Sequence, residues 1–269
     1  MTEPNPPLLV LGLPRTGTTW LASLLAVGLG GPYVHEPFNA DLDDDQVEWW
    51  LTWLDGAAQR RFGSAFDVAM VDPGPGPQPV VKDVHAIFAL ARLAIERDLP
   101  VVICIRHPCA VVNSRLELGW TSSASRNLRW LLDQPALVVD GPLAPFVGHL
   151  TACSGRPAST IAAVWAATYH VLRQASPVRV AWITHERTCL APIDELDRAV
   201  AGLGLGWDPN TGLDPVRTWL ADHDRTSIDQ EQQYRITAEQ PDRWRAVLAP
   251  ELVTEVLDAV APFGLPVEP

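Results

Sequence analysis

The chain contains a loop of the phosphate-cradling type near its amino terminus. Residues 12–19 read Gly-Leu-Pro-Arg-Thr-Gly-Thr-Thr and directly follow the apolar residues 8–11. In such a loop, backbone N–H groups and the start of a helix hold a phosphate. In nucleotide triphosphatases a lysine follows the second glycine, whereas here Thr18 follows it and the cation lies earlier, at Arg15. The loop therefore predicts a phosphate-bearing ligand and a reaction other than γ-phosphoryl transfer.

A second polar turn follows a second apolar run. Residues 101–105 are apolar, and Arg106-His107-Pro108 comes directly after them. Because ligands of open α/β sheets bind at the carboxyl ends of strands, Arg106 is placed to contact one. Ser114 lies about two turns into the helix predicted next, where its hydroxyl can join the arginine on one phosphate. The alternative for the turn is a surface arginine before a helix-start proline, and His107 is interpreted as a turn residue.

Taken together, the two loops resemble those of the sulfotransferases. The resemblance rests on Pro-Arg-Thr-Gly-Thr-Thr-Trp at residues 14–20 and on Arg-x-Pro with a serine eight residues after the arginine. It covers residues 8–114, and Arg15 favours the carbohydrate-type and bacterial branch of the family. Further similar segments lie at residues 35–37, 81–84, 165–169, 182–186 and 244–248.

The resemblance implies 3′-phosphoadenosine 5′-phosphosulfate (PAPS) as the sulfuryl donor, 3′-phosphoadenosine 5′-phosphate (PAP) as the product, and no metal. It implies that the first loop binds the 5′-phosphosulfate, that Arg106 and Ser114 bind the 3′-phosphate, and that Trp20 lies near the adenine. Packing in the helix core is the alternative for Trp20. The expected cofactor-binding residues are thus Arg15, Thr16, Gly17, Thr18, Thr19, Trp20, Arg106 and Ser114.

The transfer also needs a group that takes the proton of the acceptor hydroxyl. Glu36 is the first candidate, since it follows the second predicted strand and matches an acidic residue of carbohydrate-type relatives. Its neighbour His35 is the second, and strand alternation predicts that only one of the two faces the cleft. His85 is the third, one position beyond the histidine of the cytosolic branch. Lys82 is expected to reach the sulfuryl group or to orient the acceptor, and together with Arg15 it completes the catalytic set.

Composition limits the possible partners. The 269 residues carry a net charge of −12, which disfavours nucleic-acid binding and favours a hydroxylated small molecule or carbohydrate as acceptor over a polyanion. The amino-terminal residues show neither a signal peptide nor a membrane span, so a cytoplasmic location is expected. The four cysteines show no metal-ligand spacing and are interpreted as buried thiols. The oligomeric state stays open.

Apolar runs alternate with helical patterns along the chain, which predicts an α/β fold. The expected architecture is a three-layer sandwich around a mostly parallel sheet of about five strands, with strands at residues 8–13, 32–36, 80–82, 101–105 and 178–183. A single domain is expected over residues 1–269. Helical or loop insertions near residues 41–79 and 119–160 are expected to shape the acceptor site.

Two segments are candidates for contacts with substrates. Residues 48–53 read Glu-Trp-Trp-Leu-Thr-Trp and offer aromatic faces for an acceptor, with core packing as the alternative. Residues 119–155 are irregular in pattern and are a candidate lid. Residues 225–235 are a candidate cover for the 3′-phosphate or adenine.

Two other functions fit parts of the pattern. A P-loop kinase or triphosphatase would use the first loop, but the absence of lysine at position 18 and of an evident magnesium-binding acid counts against it. A non-catalytic nucleotide-binding protein would need only the phosphate loops, and an acid at Glu36 counts against a decayed site.

Overall fold

The core of the protein is a sheet of five parallel strands in the order β2-β3-β1-β4-β5. The computed structural model describes residues 5–38, 56–69, 77–175, 179–223 and 241–266. The strands β1 to β5 are Leu8–Leu11, Tyr33–His35, Val80–Asp83, Val101–Ile105 and Val180–Thr184. All five strands were predicted at these places, and the parallel α/β architecture is confirmed.

Helices follow the strands throughout the described ranges. In chain order, α1 to α13 are Thr18–Leu29, Gly56–Ala69, Ile87–Arg97, Pro108–Glu117, Ser122–Leu132, Pro135–Val138, Val147–Ala152, Pro157–Gln174, His185–Leu190, Pro192–Gly202, Asp214–His223, Arg243–Val247 and Pro250–Val260. Short 3₁₀ turns lie at Ala144–Phe146 and Ala261–Phe263.

The helices cover both faces of the sheet, because alternate strand residues point to opposite sides. In β1, Leu9 and Leu11 pack on one face together with α3, α4 and α8. Leu8 and Val10 pack on the other face together with α1 and α10. All four β1 side chains are fully buried, so the central strand is a continuous apolar run, as expected for a covered parallel sheet. The three-layer prediction is confirmed.

The order of the strands creates a crevice at the carboxyl edge of the sheet. The chain leaves β1 toward the face covered by α1, but leaves both neighbouring strands, β3 and β4, toward the opposite face. Loops that diverge in this way leave an open groove above the strand ends. The first loop, Arg106 and the segment after β3 all end at this groove.

Residues 119–155, the candidate lid, belong to an insertion that was expected to be helical or loop. Most of the segment is helical, and Leu131, Leu137 and Leu150 are buried in the core. Pro135 starts a helix here rather than breaking one. Proline is accepted at the first helical position, where its missing N–H has no partner to lose.

Helix α8 holds the two predicted phosphate loops from behind. The hydroxyl of Tyr169, fully buried, donates to the carbonyl of Cys104 at 2.7 Å and accepts from the N–H of Leu13 at 3.2 Å. One turn earlier, Trp165 Nε1 donates to the carbonyl of Arg106 at 3.0 Å. The same helix therefore fixes the ends of β1 and β4 relative to each other.

The four cysteines are free and buried, as predicted. Within the residues that the structure describes, no helix is long and apolar enough to cross a membrane.

Replacing Tyr169 with phenylalanine tests whether its hydroxyl holds the ends of β1 and β4 together. The change removes one hydroxyl and leaves a buried N–H and a buried carbonyl without their partner, so we expect a loss of about 1–3 kcal/mol in the free energy of unfolding, measured by urea denaturation. The control is Tyr33→Phe, since the hydroxyl of Tyr33 bonds to the exposed His35. That change is expected to cost less than about 0.5 kcal/mol. Equal losses of stability in both variants would contradict the stabilising role of the Tyr169 hydroxyl.

Candidate functional site

The first loop forms the floor of a cavity at the groove. Gly17 precedes α1 with a φ of 90°, and a Cβ at this position would overlap Nδ1 of His185. Arg15 also has a positive φ, of 77°. No side chain in the described ranges caps α1, so the first N–H groups of the helix are left for an anion. Glycine at position 17 is thus required both by the backbone conformation and by the close approach of His185.

Thr16 supports the loop instead of facing the cavity. Its side chain is fully buried, and its hydroxyl donates to the carbonyl of Leu13 at 2.7 Å. The carbonyl of Thr16 accepts from Sγ of Cys104 at 3.0 Å. In contrast, Thr18 and Thr19 line the cavity. The loop therefore divides its hydroxyl residues between holding its own shape and facing a ligand.

The structure brings the two predicted phosphate-binding segments into direct contact. Nη1 of Arg106 donates to the carbonyl of Arg15 at 3.1 Å, and Nε of Arg15 donates to Oγ of Ser114 at 2.9 Å. Glu186 holds the turn after β4, because its Oε1 accepts from the N–H of His107 at 2.8 Å. Two arginines from separate loops and a serine of α4 thus meet at one end of the cavity.

The cavity is locally basic although the protein is acidic. It has a volume of about 350 Å³, within the range of small-molecule sites. Among the described residues, its lining includes four cationic side chains and two carboxylates, in a chain whose net charge is −12. The cations are Arg15, Lys82, Arg106 and Arg243, and the carboxylates are Glu36 and Glu117. A concentrated positive charge in such a protein favours an anionic ligand.

Glu36, Lys82 and His85 form an ionic cluster at the other end. Glu36 Oε1 pairs with Nζ of Lys82, and Oε2 lies 3.5 Å from Nε2 of His85. Burial raises the pKa of Glu36, but the contacts with His85 and Lys82 outweigh it and bring this pKa down to about 2. Lys82 is almost completely buried, and burial lowers the pKa of its ammonium group, against the effect of Glu36. Glu36 is therefore a firmly ionised partner of Lys82 and His85, and Nε2 of His35 lies 3.8 Å from the same Oε2.

Both His35 and Glu36 line the cavity, so the prediction that only one of them faces the cleft is wrong. The strand ends at His35, and Glu36 turns away from strand geometry with a φ of 44°. Strand alternation does not apply beyond the last strand residue. The exposed ring of His35 is the outermost of the three candidate bases, and its Nδ1 bonds to the hydroxyl of Tyr33 at 2.8 Å.

Asp83, which the sequence did not single out, orders this end of the site. Its side chain is fully buried, and its Oδ1 accepts from the N–H groups of His85 at 2.6 Å and Ala86 at 2.8 Å. Its Oδ2 accepts from the N–H of Phe38 at 3.0 Å. One carboxylate thus ties the turn that carries His85 to the turn that carries Glu36.

Two aromatic side chains lie beside the phosphate loop. Trp20 is buried, and its ring meets that of His185 edge-on at 6.0 Å. His185 follows β5 directly, and burial together with Arg106 lowers its pKa to about 3, so it is neutral at physiological pH. Its position after a strand was the only available signal for it.

Further residues of the cavity lining come from distant parts of the chain. The ring of His107 stacks on Trp244 at 4.5 Å, and its Nδ1 accepts from the N–H of Cys109. His107 is thus the turn residue that was expected, and burial lowers its pKa to about 4. Asn113, Glu117, Trp120 and Arg243 also line the cavity, and no motif pointed to them.

Some expectations lie outside the described residues. These are the aromatic run at residues 48–53 and the candidate cover at residues 225–235. Within the described ranges, no group of three or more His, Cys, Asp or Glu side chains could hold a metal ion.

Comparison with known proteins places this geometry in a known architecture. The sulfotransferase domain from the curacin biosynthetic pathway matches with a TM-score of 0.50 and 16% identity, over 100% of both chains. The chain has the sulfotransferase fold. A sulfotransferase domain from the Synechococcus PCC 7002 olefin synthase matches with a TM-score of 0.51 and 15% identity, over 100% of this chain and 98% of that one. No protein-family model and no curated protein matches the sequence.

In this sulfotransferase fold, the ion pair between Glu36 and Lys82 predicts how the free energy of unfolding changes in acid. With a folded pKa of about 2 against an ordinary value of 4.5, Glu36 contributes stability that is complete above pH 4.5 and is lost as the pH falls toward 2. We expect Glu36→Gln to lower the free energy of unfolding by about 1.5–3 kcal/mol at pH 7. The difference in the free energy of unfolding between the wild type and Glu36→Gln is expected to shrink at pH 3.

Denaturant unfolding at pH 7, 4.5 and 3 measures this gap. The matched control is Glu96→Gln, which removes an exposed carboxylate 3.5 Å from Arg92 and is expected to change stability by less than about 0.5 kcal/mol at each pH. A gap for Glu36→Gln that stays constant down to pH 3 would show that the carboxylate is not the titrating group.

Proposed function

We propose that this protein is a sulfotransferase that moves the sulfuryl group of PAPS to a hydroxyl of a small-molecule or carbohydrate acceptor. The observation that carries the proposal is the contact between the two phosphate loops, where Arg15, Arg106 and Ser114 meet beside the uncapped start of α1. A nucleotide with 5′ and 3′ phosphates would use the first loop for one phosphate and Arg106 with Ser114 for the other. The curacin-pathway and olefin-synthase structures are sulfotransferase domains, which supports sulfuryl transfer here.

The donors around the cavity suit a nucleotide, because its cationic side chains can bind phosphate oxygens. Trp20 and Trp244 also line the cavity, but both side chains are almost completely buried, and the ring of Trp244 already stacks on His107.

The proposed reaction is an in-line displacement at sulfur. The acceptor oxygen forms a bond to sulfur, the bond from sulfur to the bridging phosphate oxygen breaks, and PAP leaves with that electron pair. Arg15 and the first N–H groups of α1 stabilise the charge that grows on the leaving phosphate. We propose that Lys82, near the end of the neighbouring strand β3, contacts the sulfuryl oxygens.

We assign His85 as the general base that takes the proton of the acceptor hydroxyl, with Glu36 as its ionised partner. With a pKa of about 2, Glu36 is a weak base near neutral pH, because a useful general base has a pKa close to the working pH. Its carboxylate instead stabilises the positive charge that His85 gains on taking the proton. This assignment reverses the order of candidates drawn from the sequence, in which Glu36 came first.

Nucleotide selectivity tests the proposal against a P-loop kinase or triphosphatase. We expect PAP to raise the melting temperature of the protein, because its two phosphates meet both loops, and ATP with magnesium to raise it less. Differential scanning fluorimetry measures both shifts at equal ligand concentrations. At a ligand concentration 100 times the Kd, binding adds about 2.7 kcal/mol of stability. An equal or larger shift with ATP and magnesium would favour the kinase alternative.

Arg106→Ala tests the assignment of the 3′-phosphate. Removing a guanidinium from a charge-assisted phosphate contact costs about 1.5–3 kcal/mol, so we expect the affinity for PAP to fall at least tenfold. The affinity for adenosine 5′-phosphosulfate, which has no 3′-phosphate, should change much less. Isothermal titration calorimetry measures both.

The matched control is Arg179→Ala. Arg179 also donates to a backbone carbonyl, that of Leu203 at 2.9 Å, but it lies before β5, at the opposite edge of the sheet. It should leave both affinities unchanged. If Arg106→Ala weakens the two nucleotides equally, Arg106 does not contact the 3′-phosphate.

A further inference from the structure

A carboxylate stands at the end of the cavity where anions are expected to bind. Glu117 lies near the end of α4, about one turn after Ser114, and lines the cavity. Its Oε1 accepts from Nδ2 of Asn113 at 3.1 Å and lies 4.0 Å from Nη2 of Arg243. The side chains of Glu117 and Arg243 are 44% and 54% exposed, so this pair sits in the mouth of the cavity and is hydrated.

Glu117 also acts on the first loop. Burial and the nearby Arg106 lower the pKa of Arg15, and the charge of Glu117 opposes them. A phosphate held by Ser114 and these arginines would meet a like charge at Glu117.

The two carboxylates of the cavity differ in how firmly they are held. Glu36 pairs with Lys82, whose side chain is only 3% exposed, and its own side chain is 13% exposed. Breaking such a buried pair leaves an uncompensated charge. The pair of Glu117 is exposed, and exposed pairs contribute only about 0.2–1 kcal/mol. A competing anion can therefore displace Glu117 at small cost, but not Glu36.

We infer that Glu117 is a displaceable counter-ion of the 3′-phosphate subsite, which weakens the hold on the nucleotide and speeds the release of PAP. The inference rests on the proposed function. In the free protein Glu117 balances Arg243, and the 3′-phosphate replaces it there when the nucleotide binds. A nucleotide without a 3′-phosphate leaves the Glu117 pair intact, so Glu117 affects only nucleotides that carry this group.

The variant Glu117→Gln tests the inference, because it keeps the shape and the bond from Asn113 while removing the charge. We expect it to bind PAP about two- to fivefold more tightly than the wild type in 0.1 M salt, the size set by an exposed charge pair. The tightening should disappear in 1 M salt, where the screening length falls to about 3 Å. The affinity for adenosine 5′-monophosphate should not change.

Calorimetric titration with PAP and with adenosine 5′-monophosphate measures these affinities, and stopped-flow dilution measures the release of PAP. Glu96→Gln is the matched control, since it removes a glutamate that pairs with an arginine on α3, away from the cavity. It should leave both affinities unchanged.

Three results would overturn the inference while the proposed function stands. They are unchanged PAP binding in Glu117→Gln, weaker PAP binding, and equal tightening of both nucleotides, which would indicate a general effect of charge. If the wild type binds no PAP at all, the proposed function fails and the inference fails with it.

Discussion

The hydroxyl of Tyr169 is the contact on which the geometry of the site depends. It joins the carbonyl of Cys104 in β4 to the N–H of Leu13 in the first loop, and it does so inside a fully buried helix–sheet interface. Cys104 continues the link, because its thiol donates to the carbonyl of Thr16. The two loops that would hold the two phosphates of a nucleotide are therefore one mechanical unit. Buried hydrogen bonds therefore fix the positions of the two loops relative to each other.

The cavity differs from the rest of the protein in the sign of its charge. The chain is strongly acidic, yet the groove above the strand ends collects arginine and lysine side chains. These residues come from the ends of three strands and from a distant carboxy-terminal segment, so only the parallel sheet brings them together. An anionic ligand is attracted to this groove, while the acidic remainder of the surface repels polyanions.

The two carboxylates within this basic groove have different physical roles. Glu36 is buried with Lys82, and its charge is part of the folded structure, as its low pKa indicates. Glu117 is hydrated beside Arg243, and its charge can be exchanged for that of a ligand. One end of the site is thus rigid, which suits chemistry on the transferred group. The other end is adjustable, which suits binding and release.

The sequence alone determined the sheet, the phosphate loop and the turn at Arg106, because strand runs and glycine spacing are local patterns. It left residues 119–155 open between helix and loop, because a proline at a helix start resembles a break. Only the tertiary structure decided that Glu36 faces Lys82 and His85, and that Glu117, Arg243 and His185 share the cavity. Contacts between residues far apart in the chain depend on strand order and crossover direction, and no local pattern encodes the distance between two side chains.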